Sequence, residues 1–82
     1  MKNQKHRIDP QFYFSVGLRL YEARQAKGWS MVQLSERTGA APGAICAYEA
    51  GEQVPRIDRL RDLCVALDVS ADWVLGLKEK EA

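Results

Sequence analysis

Two pairs of helix start and stop signals lie close together in the middle of the chain. Ser30 is followed three residues later by Gln33, the spacing of a capping box at a helix N-terminus, and Gly39 is a stop signal soon afterwards. Pro42 favours the first position of a second helix, which we expect to end before Gly51. The sequence therefore predicts two short helices joined by a tight turn.

Apolar residues at helical spacing predict three further helices around this pair. Asp9 and Pro10 mark the start of the first helix, which should end by Gly28. Its predicted inner face comprises Phe12, Val16, Leu20 and Ala23. The inner face of the fourth helix comprises Ile57, Leu60, Leu63, Cys64 and Leu67, and Ser70 caps a short fifth helix. No segment has the pattern of a strand, so we expect an all-α bundle of five helices.

The 82 residues are expected to form one domain, since domains usually run from about 50 to 250 residues. We place this domain at residues 9–77, between a flexible basic arm (1–8) and a charged tail (78–82). The two-helix motif within it spans about residues 31–50. A solvated, disordered tail fits the arm at least as well as a contact to a nucleic-acid minor groove.

Composition argues against several classes of protein. The only cysteines, Cys46 and Cys64, are far apart, which is typical of the reducing cytoplasm rather than of a disulfide scaffold. With the single His6 they cannot complete a structural zinc site, and we expect no cofactor. No stretch approaches the ~20 apolar residues that span a bilayer, so we expect no membrane partner. The scattered glycines form no phosphate-binding loop, and His6 lies in the predicted arm, so we predict no enzyme activity.

Positive charge is concentrated in the N-terminal third of the chain. The whole chain carries a net charge of +1, and its pI of about 7.8 is below that of a strongly basic nucleic-acid binder. Residues 1–30 hold six basic groups against two acidic ones, and the remainder is net negative. Charge therefore favours a phosphate partner only through the N-terminal third.

Three stretches of the chain share their spacing with a known family. The two-helix unit contributes Leu34, Ser35, Gly39, Ile45 and Tyr48. Val16-Gly17-Leu18-Arg19-Leu20 precedes the unit, and Val69-Ser70-Ala71-Asp72-Trp73-Val74-Leu75 follows it. This combination over residues 16–77 resembles the helix-turn-helix of the Cro and phage-repressor family. The resemblance implies a lambda-repressor-like fold and a small DNA-binding transcriptional regulator of phage or prophage type.

The resemblance also implies roles for individual residues. In the family the third helix lies in the major groove, and the N-terminus of the second helix meets a phosphate. The positions that would face double-stranded DNA here are Lys27, Ser30, Met31, Ala41, Pro42, Gly43, Ala44, Cys46, Ala47 and Arg56. Arg24 and Glu49 occupy positions that form a partly buried ion pair in the family.

The predicted recognition helix departs from the family pattern. None of its groove-facing positions carries Arg, Asn, Gln or Lys, the side chains that commonly read base edges, and Met31 stands where the family usually has glutamine. Two interpretations stay open. The protein is a repressor-like regulator that binds DNA mainly by backbone and apolar contacts, or the scaffold is a protein-interaction module, anti-repressor or antitoxin-like, that binds its partner through the third helix.

The fifth helix carries a nearly continuous apolar run, namely Trp73, Val74, Leu75 and Leu77. Family members usually pair across a two-fold axis, and we expect a homodimer through this run. If Trp73 and Leu77 pack in the core, Val74 and Leu75 face solvent and are available to a second copy. The alternative is a monomer whose core is closed by all four side chains.

Overall fold

The computed structural model describes residues 9–79, and that part of the chain folds into five helices without a strand. They are α1 (Pro10–Lys27), α2 (Met31–Thr38), α3 (Pro42–Glu49), α4 (Ile57–Leu67) and α5 (Ala71–Val74). The predicted all-α architecture of five helices is confirmed. The predicted basic arm and the last three residues of the predicted tail lie outside the described residues.

The predicted capping residues set the helix boundaries. Asp9 caps α1, and the capping box of α2 is complete. In that box the Gln33 amide donates to Ser30 Oγ at 3.0 Å, and the Ser30 amide donates to Gln33 Oε1 at 2.8 Å. Gly28 and Gly39 end α1 and α2 with φ of 73° and 80°, a conformation that glycine adopts without steric cost. Local chemistry therefore places the start and the end of the motif.

One apolar core lies where the five helices meet. Its buried side chains are Val16, Leu20, Ala23, Leu34, Ala40, Ile45, Tyr48, Leu63, Cys64, Leu67, Trp73 and Val74. The contact between α1 and α3 is the most extensive one between two helices. The inner side of α3 is thus fixed to the bundle, and its outer side remains accessible.

Gly17 allows α1 to cross close over the end of α3. A Cβ atom at residue 17 would lie 2.3 Å from the carbonyl oxygen of Tyr48 and 2.8 Å from that of Glu49. Both oxygens belong to the backbone, so α3 itself would have to move to make room. The orientation of α3 on α1 therefore depends on a residue without a side chain.

Two residues predicted on inner helix faces lie at the surface instead. The exposed fraction is 38% for Phe12 and 86% for Ile57. Each lies in the first turn of its helix. The helical period identifies a face but does not record how far along that face the neighbouring helices reach, so both assignments were wrong.

The apolar residues of the last helix and of the segment after it are not buried in the predicted pattern. It ends at Val74, and Gly76 follows with φ of 80°, so the chain leaves the helical path before Leu77. Val74 is fully buried, Trp73 is buried beside it and Leu75 is half-buried, whereas Leu77 is 71% exposed. The expectation that Leu77 packs in the core while Val74 faces solvent is wrong, because the helical spacing of four residues no longer applies.

Candidate nucleic-acid interface

An ion pair joins α1 to the last residue of α3. Arg24 Nε donates to Glu49 Oε2 at 2.7 Å, and Arg24 Nη2 donates to Glu49 Oε1 at 2.8 Å. A third donor, Arg24 Nη1, binds the carbonyl oxygen of Trp29 at 2.8 Å. The side chains are only 8% and 6% exposed, and the hydrogen bonds that Arg24 donates to Glu49 raise the pKa of Arg24 against the opposing effect of burial. The ion pair implied by the resemblance is present, and it links α1, α3 and the segment before α2.

Thr38 and Arg59 hold the turn between α2 and α3. Thr38 Oγ1 donates to the carbonyl oxygen of Leu34 at 2.8 Å and accepts from the amide of Ala40 at 3.2 Å. Arg59 of α4 donates a short hydrogen bond to the Thr38 carbonyl oxygen. Sequence reasoning missed Arg59, because its partner lies 21 residues away and no local spacing reveals the contact. The angle between the two motif helices is therefore supported from α4 as well as by Gly39.

The outer face of α3 is accessible and carries no charge. The predicted groove positions Ala41, Pro42, Gly43 and Cys46 are exposed, and Ala44 and Ala47 are half-buried. The space beside Gly43 is open, since a Cβ atom there would meet nothing within 4 Å. Methyl groups on such a face can contact thymine methyls, but they cannot form the paired hydrogen bonds that read a base edge. The structure therefore brings these residues together on a surface suited to shape and apolar contacts.

The start of α2 presents amide groups but little free side-chain capacity. The hydroxyl of Ser30 and the amides of Ser30 and Gln33 are used in the capping box. The amides of Met31 and Val32 lie in the first turn, where a helix offers them no acceptor. Met31 itself is half-buried against the core. An anion here would be bound by amide groups and the helix dipole rather than by these side chains.

Trp29 holds two cationic side chains beside α2. Lys27 Nζ lies 5.7 Å from the centroid of the indole ring, and Arg37 Cζ lies 4.2 Å from it. Arg37 also donates to the carbonyl oxygen of Gln33 at 3.1 Å. Attraction between a cation and the ring face restrains long basic side chains that would otherwise be mobile. Lys27 was predicted as a phosphate contact, whereas Arg37 was missed because its contact depends on how Trp29 lies against α2.

Arg56 is exposed but already has an anionic partner. Its Nη2 atom lies 3.0 Å from Asp58 Oδ2, and its Nε atom donates to Asp58 Oδ1 at 3.4 Å. The Asp58 Oδ1 atom also accepts from the amide of Arg59 at 2.8 Å. The Arg56 guanidinium, helped by that amide, lowers the pKa of the Asp58 carboxyl. A phosphate that approaches Arg56 must therefore compete with a carboxylate.

Other kinds of site find no support between residues 9 and 79. His, Cys, Asp and Glu side chains in that range form no group able to hold a metal ion. No helix of the same range is long and apolar enough to cross a membrane. Cys46 is exposed on α3, and burial raises the pKa of the Cys64 thiol in the core.

A relative from Bacillus subtilis aligns with about three quarters of this chain. The transcriptional regulator YobD of strain 168, itself uncharacterised, is 39% identical over 61 residues, which make up 74% of this chain and 54% of YobD. The chain spans about half the length of the curated relatives it matches.

Two solved structures of DNA complexes have the same fold, which confirms the predicted lambda-repressor-like architecture. The P22 c2 repressor in complex with a synthetic operator matches with a TM-score of 0.73 at 27% identity, over 77% of this chain and 96% of that chain. SinR, a master regulator for biofilm formation, in complex with DNA matches with a TM-score of 0.70 at 33% identity, over 73% and 97%. The family model for helix-turn-helix proteins matches residues 20–74, and the chain therefore belongs to that family.

Proposed function

We propose that the chain is a repressor-like transcriptional regulator that binds duplex DNA through α2 and α3. The observation that carries this proposal is the exposed outer face of α3. The close approach of α1 at Gly17 and the ion pair of Arg24 with Glu49 fix the orientation of this helix. Basic side chains precede α2 and follow α3, which suits a polyanion. The relatives named above are regulators, and two structural neighbours are seen with DNA.

The contacts to DNA are proposed to be mainly electrostatic and apolar. Lys27 beside Trp29, the first amides of α2, and Arg56 would contact phosphates. Ala44 and Ala47 would offer methyl groups to the major groove, with Ala41, Pro42, Gly43 and Cys46 allowing close approach. Binding of this kind is strongly dependent on salt and only weakly dependent on sequence.

Protein interaction through α3 is the second candidate function, because the exposed face of that helix carries no charged side chain. Charged residues are depleted at the centres of protein interfaces, whereas DNA-binding surfaces are rich in them. This function would use the same helix in the same orientation on α1.

We also propose a homodimer whose contact lies just beyond α5. Leu77 is exposed and Leu75 is half-buried, whereas Val74 and Trp73 are buried and offer little surface to a partner. Two linked units would read two half-sites about one helical turn apart. The proposed interface therefore comprises Leu75 and Leu77, and it is smaller than the predicted run of four residues.

We propose that the chain is not an enzyme, that it needs no cofactor, that it acts in the cytoplasm and that it is of phage or prophage origin. The named relatives are regulators, and a phage repressor is among the structural neighbours. The domain is proposed to comprise residues 9–77.

Fluorescence anisotropy with labelled duplexes tests DNA binding directly. The full chain is titrated into random and genomic duplexes at several salt concentrations. We expect binding that weakens steeply as salt rises, since each neutralised phosphate contributes about 0.9 to the log–log slope. Absence of binding at the lowest salt concentration would overturn the proposal and favour the protein-interaction function.

A further inference from the structure

The Asp58 carboxylate at the start of α4 accepts hydrogen bonds from a guanidinium and from a backbone amide, and both kinds of donor also bind phosphate. Asp58 accepts from Nη2 and Nε of Arg56, and it also accepts from the amide of Arg59. Both side chains of the pair are exposed, 84% for Arg56 and 54% for Asp58. The carboxylate is therefore placed where a DNA phosphate would otherwise meet the same guanidinium.

We propose that Asp58 is an intramolecular competitor of DNA phosphate for Arg56, and that it lowers the affinity of the protein for the DNA backbone. This inference rests on the proposed function. A carboxylate and a phosphate oxygen accept the same bidentate hydrogen bonds from a guanidinium, so Arg56 can exchange one for the other. The exchange loses the bonds to Asp58 and leaves that anion close to the phosphate.

The pair is suited to exchange because it is exposed. Ion pairs in water are weak, so a phosphate with its concentrated charge can displace Asp58 at modest cost. In contrast, the pair of Arg24 with Glu49 is shielded from solvent and joins α1 to the end of α3. The two ion pairs have opposite uses, one structural and one open to competition.

Asp58→Asn removes the competing charge and keeps the size of the side chain. The amide oxygen of asparagine can still accept from the amide of Arg59, so α4 should begin normally, and circular dichroism checks this. We expect affinity for random duplex DNA to rise about two- to fivefold, the range of a weak exposed ion pair. Asp58→Ser serves as a second neutral variant if Asp58→Asn does not fold.

The decisive measurement is a double-mutant cycle with Arg56→Ala. If Asp58 acts through Arg56, the gain from Asp58→Asn should disappear in the Arg56→Ala background. Asp72→Asn is the matched control, because Asp72 is an exposed aspartate in the first turn of α5 and its substitution makes the same change in net charge. We expect this control to raise affinity less than Asp58→Asn does.

The outcomes separate this inference from the proposed function. If the wild-type chain binds DNA and Asp58→Asn leaves affinity unchanged, gains no more than Asp72→Asn, or gains equally without Arg56, the inference is wrong and the proposed function stands. If neither the wild-type chain nor Asp58→Asn binds at low salt, both are wrong. Binding by Asp58→Asn alone would overturn the proposed function of the wild-type chain, and with it the inference that rests on that function.

Discussion

Arg24 binds Glu49 through two hydrogen bonds of 2.7 and 2.8 Å, and this pair ties the end of α3 to the middle of the bundle. Its third bond, to the carbonyl oxygen of Trp29, ties in the segment from which α2 begins. Because the two charges are almost fully removed from water, each depends on the other for its compensation. This pair is thus one of the polar contacts between distant parts of the chain that orient the motif.

Breaking this pair from one side should destabilise the domain strongly. Arg24→Ala or Glu49→Ala is expected to lower the free energy of unfolding by about 3–5 kcal/mol, since the remaining charge stays buried without a partner. Urea denaturation followed by circular dichroism measures the change. The combined variant Arg24→Met with Glu49→Leu should recover much of the loss, because no buried charge is then left.

Arg61→Ala is the matched control for this prediction. Arg61 forms an ion pair of 3.0 Å with Asp62, but its side chain is 73% exposed. Its removal should leave the unfolding free energy nearly unchanged. Equal losses at Arg24 and Arg61 would contradict a special role for the buried pair.

Gly17 should tolerate no side chain, whereas Gly43 should. Gly17→Ala places a methyl group against the carbonyl oxygens of Tyr48 and Glu49, and we expect a loss of at least about 1–3 kcal/mol in unfolding free energy. Gly43→Ala meets open space in a helix and should stabilise α3 by up to about 1 kcal/mol. Thermal melting compares the two, and a harmless Gly17→Ala would show that α1 and α3 separate readily.

Loss of a basic side chain next to the motif should weaken binding to every duplex alike. For Lys27→Ala and for Arg56→Ala we expect a similar loss on random and genomic sequences, with a log–log salt slope shallower by up to about 0.9 each. Anisotropy titrations at several salt concentrations give both quantities. A loss confined to one sequence would indicate base reading and contradict the proposed phosphate role.

A donor added to α3 should change sequence preference. Ala47 is half-buried on the predicted groove side, and Ala47→Arg places a guanidinium there that can bind guanine in two bonds. We expect higher affinity or a new preference among duplexes, read by competition with a random pool. If Ala47→Arg left DNA binding unchanged and abolished capture of a protein partner, α3 would be a protein-binding surface.

A charge at residue 77 should separate the proposed dimer without unfolding it. Leu77 is 71% exposed, so Leu77→Asp is expected to give a folded monomer with weaker DNA binding, because two linked units gain from effective concentration. Analytical ultracentrifugation measures the mass. Val65→Asp on α4 is the control, since Val65 is 75% exposed and lies outside the proposed contact.

Either of two results would contradict the contact beyond α5. The first is a wild-type chain that stays monomeric at high micromolar concentration. The second is a dimer that Val65→Asp disrupts and Leu77→Asp leaves intact.

Helix starts and ends could be predicted because their causes are local. The hydroxyl of Ser30 accepts from the backbone amide of Gln33 within one helical turn, and Gly28 and Gly39 adopt positive φ where α1 and α2 end. The spacing of matching residues over three quarters of the chain was also enough to predict the family. The pairing of Arg24 with Glu49 came from the resemblance alone, since 25 residues separate them.

The surface of the molecule was decided by contacts that no local pattern contains. Leu77 lies outside the core because Gly76 turns the chain away, and Ile57 is bare because no neighbouring helix covers the first turn of α4. Arg59 reaches the Thr38 carbonyl oxygen only after α2 and α4 have packed together. Sequence periodicity selects which face of a helix is apolar, but burial and ion pairing depend on which elements arrive there, and those distances exist only in the folded chain.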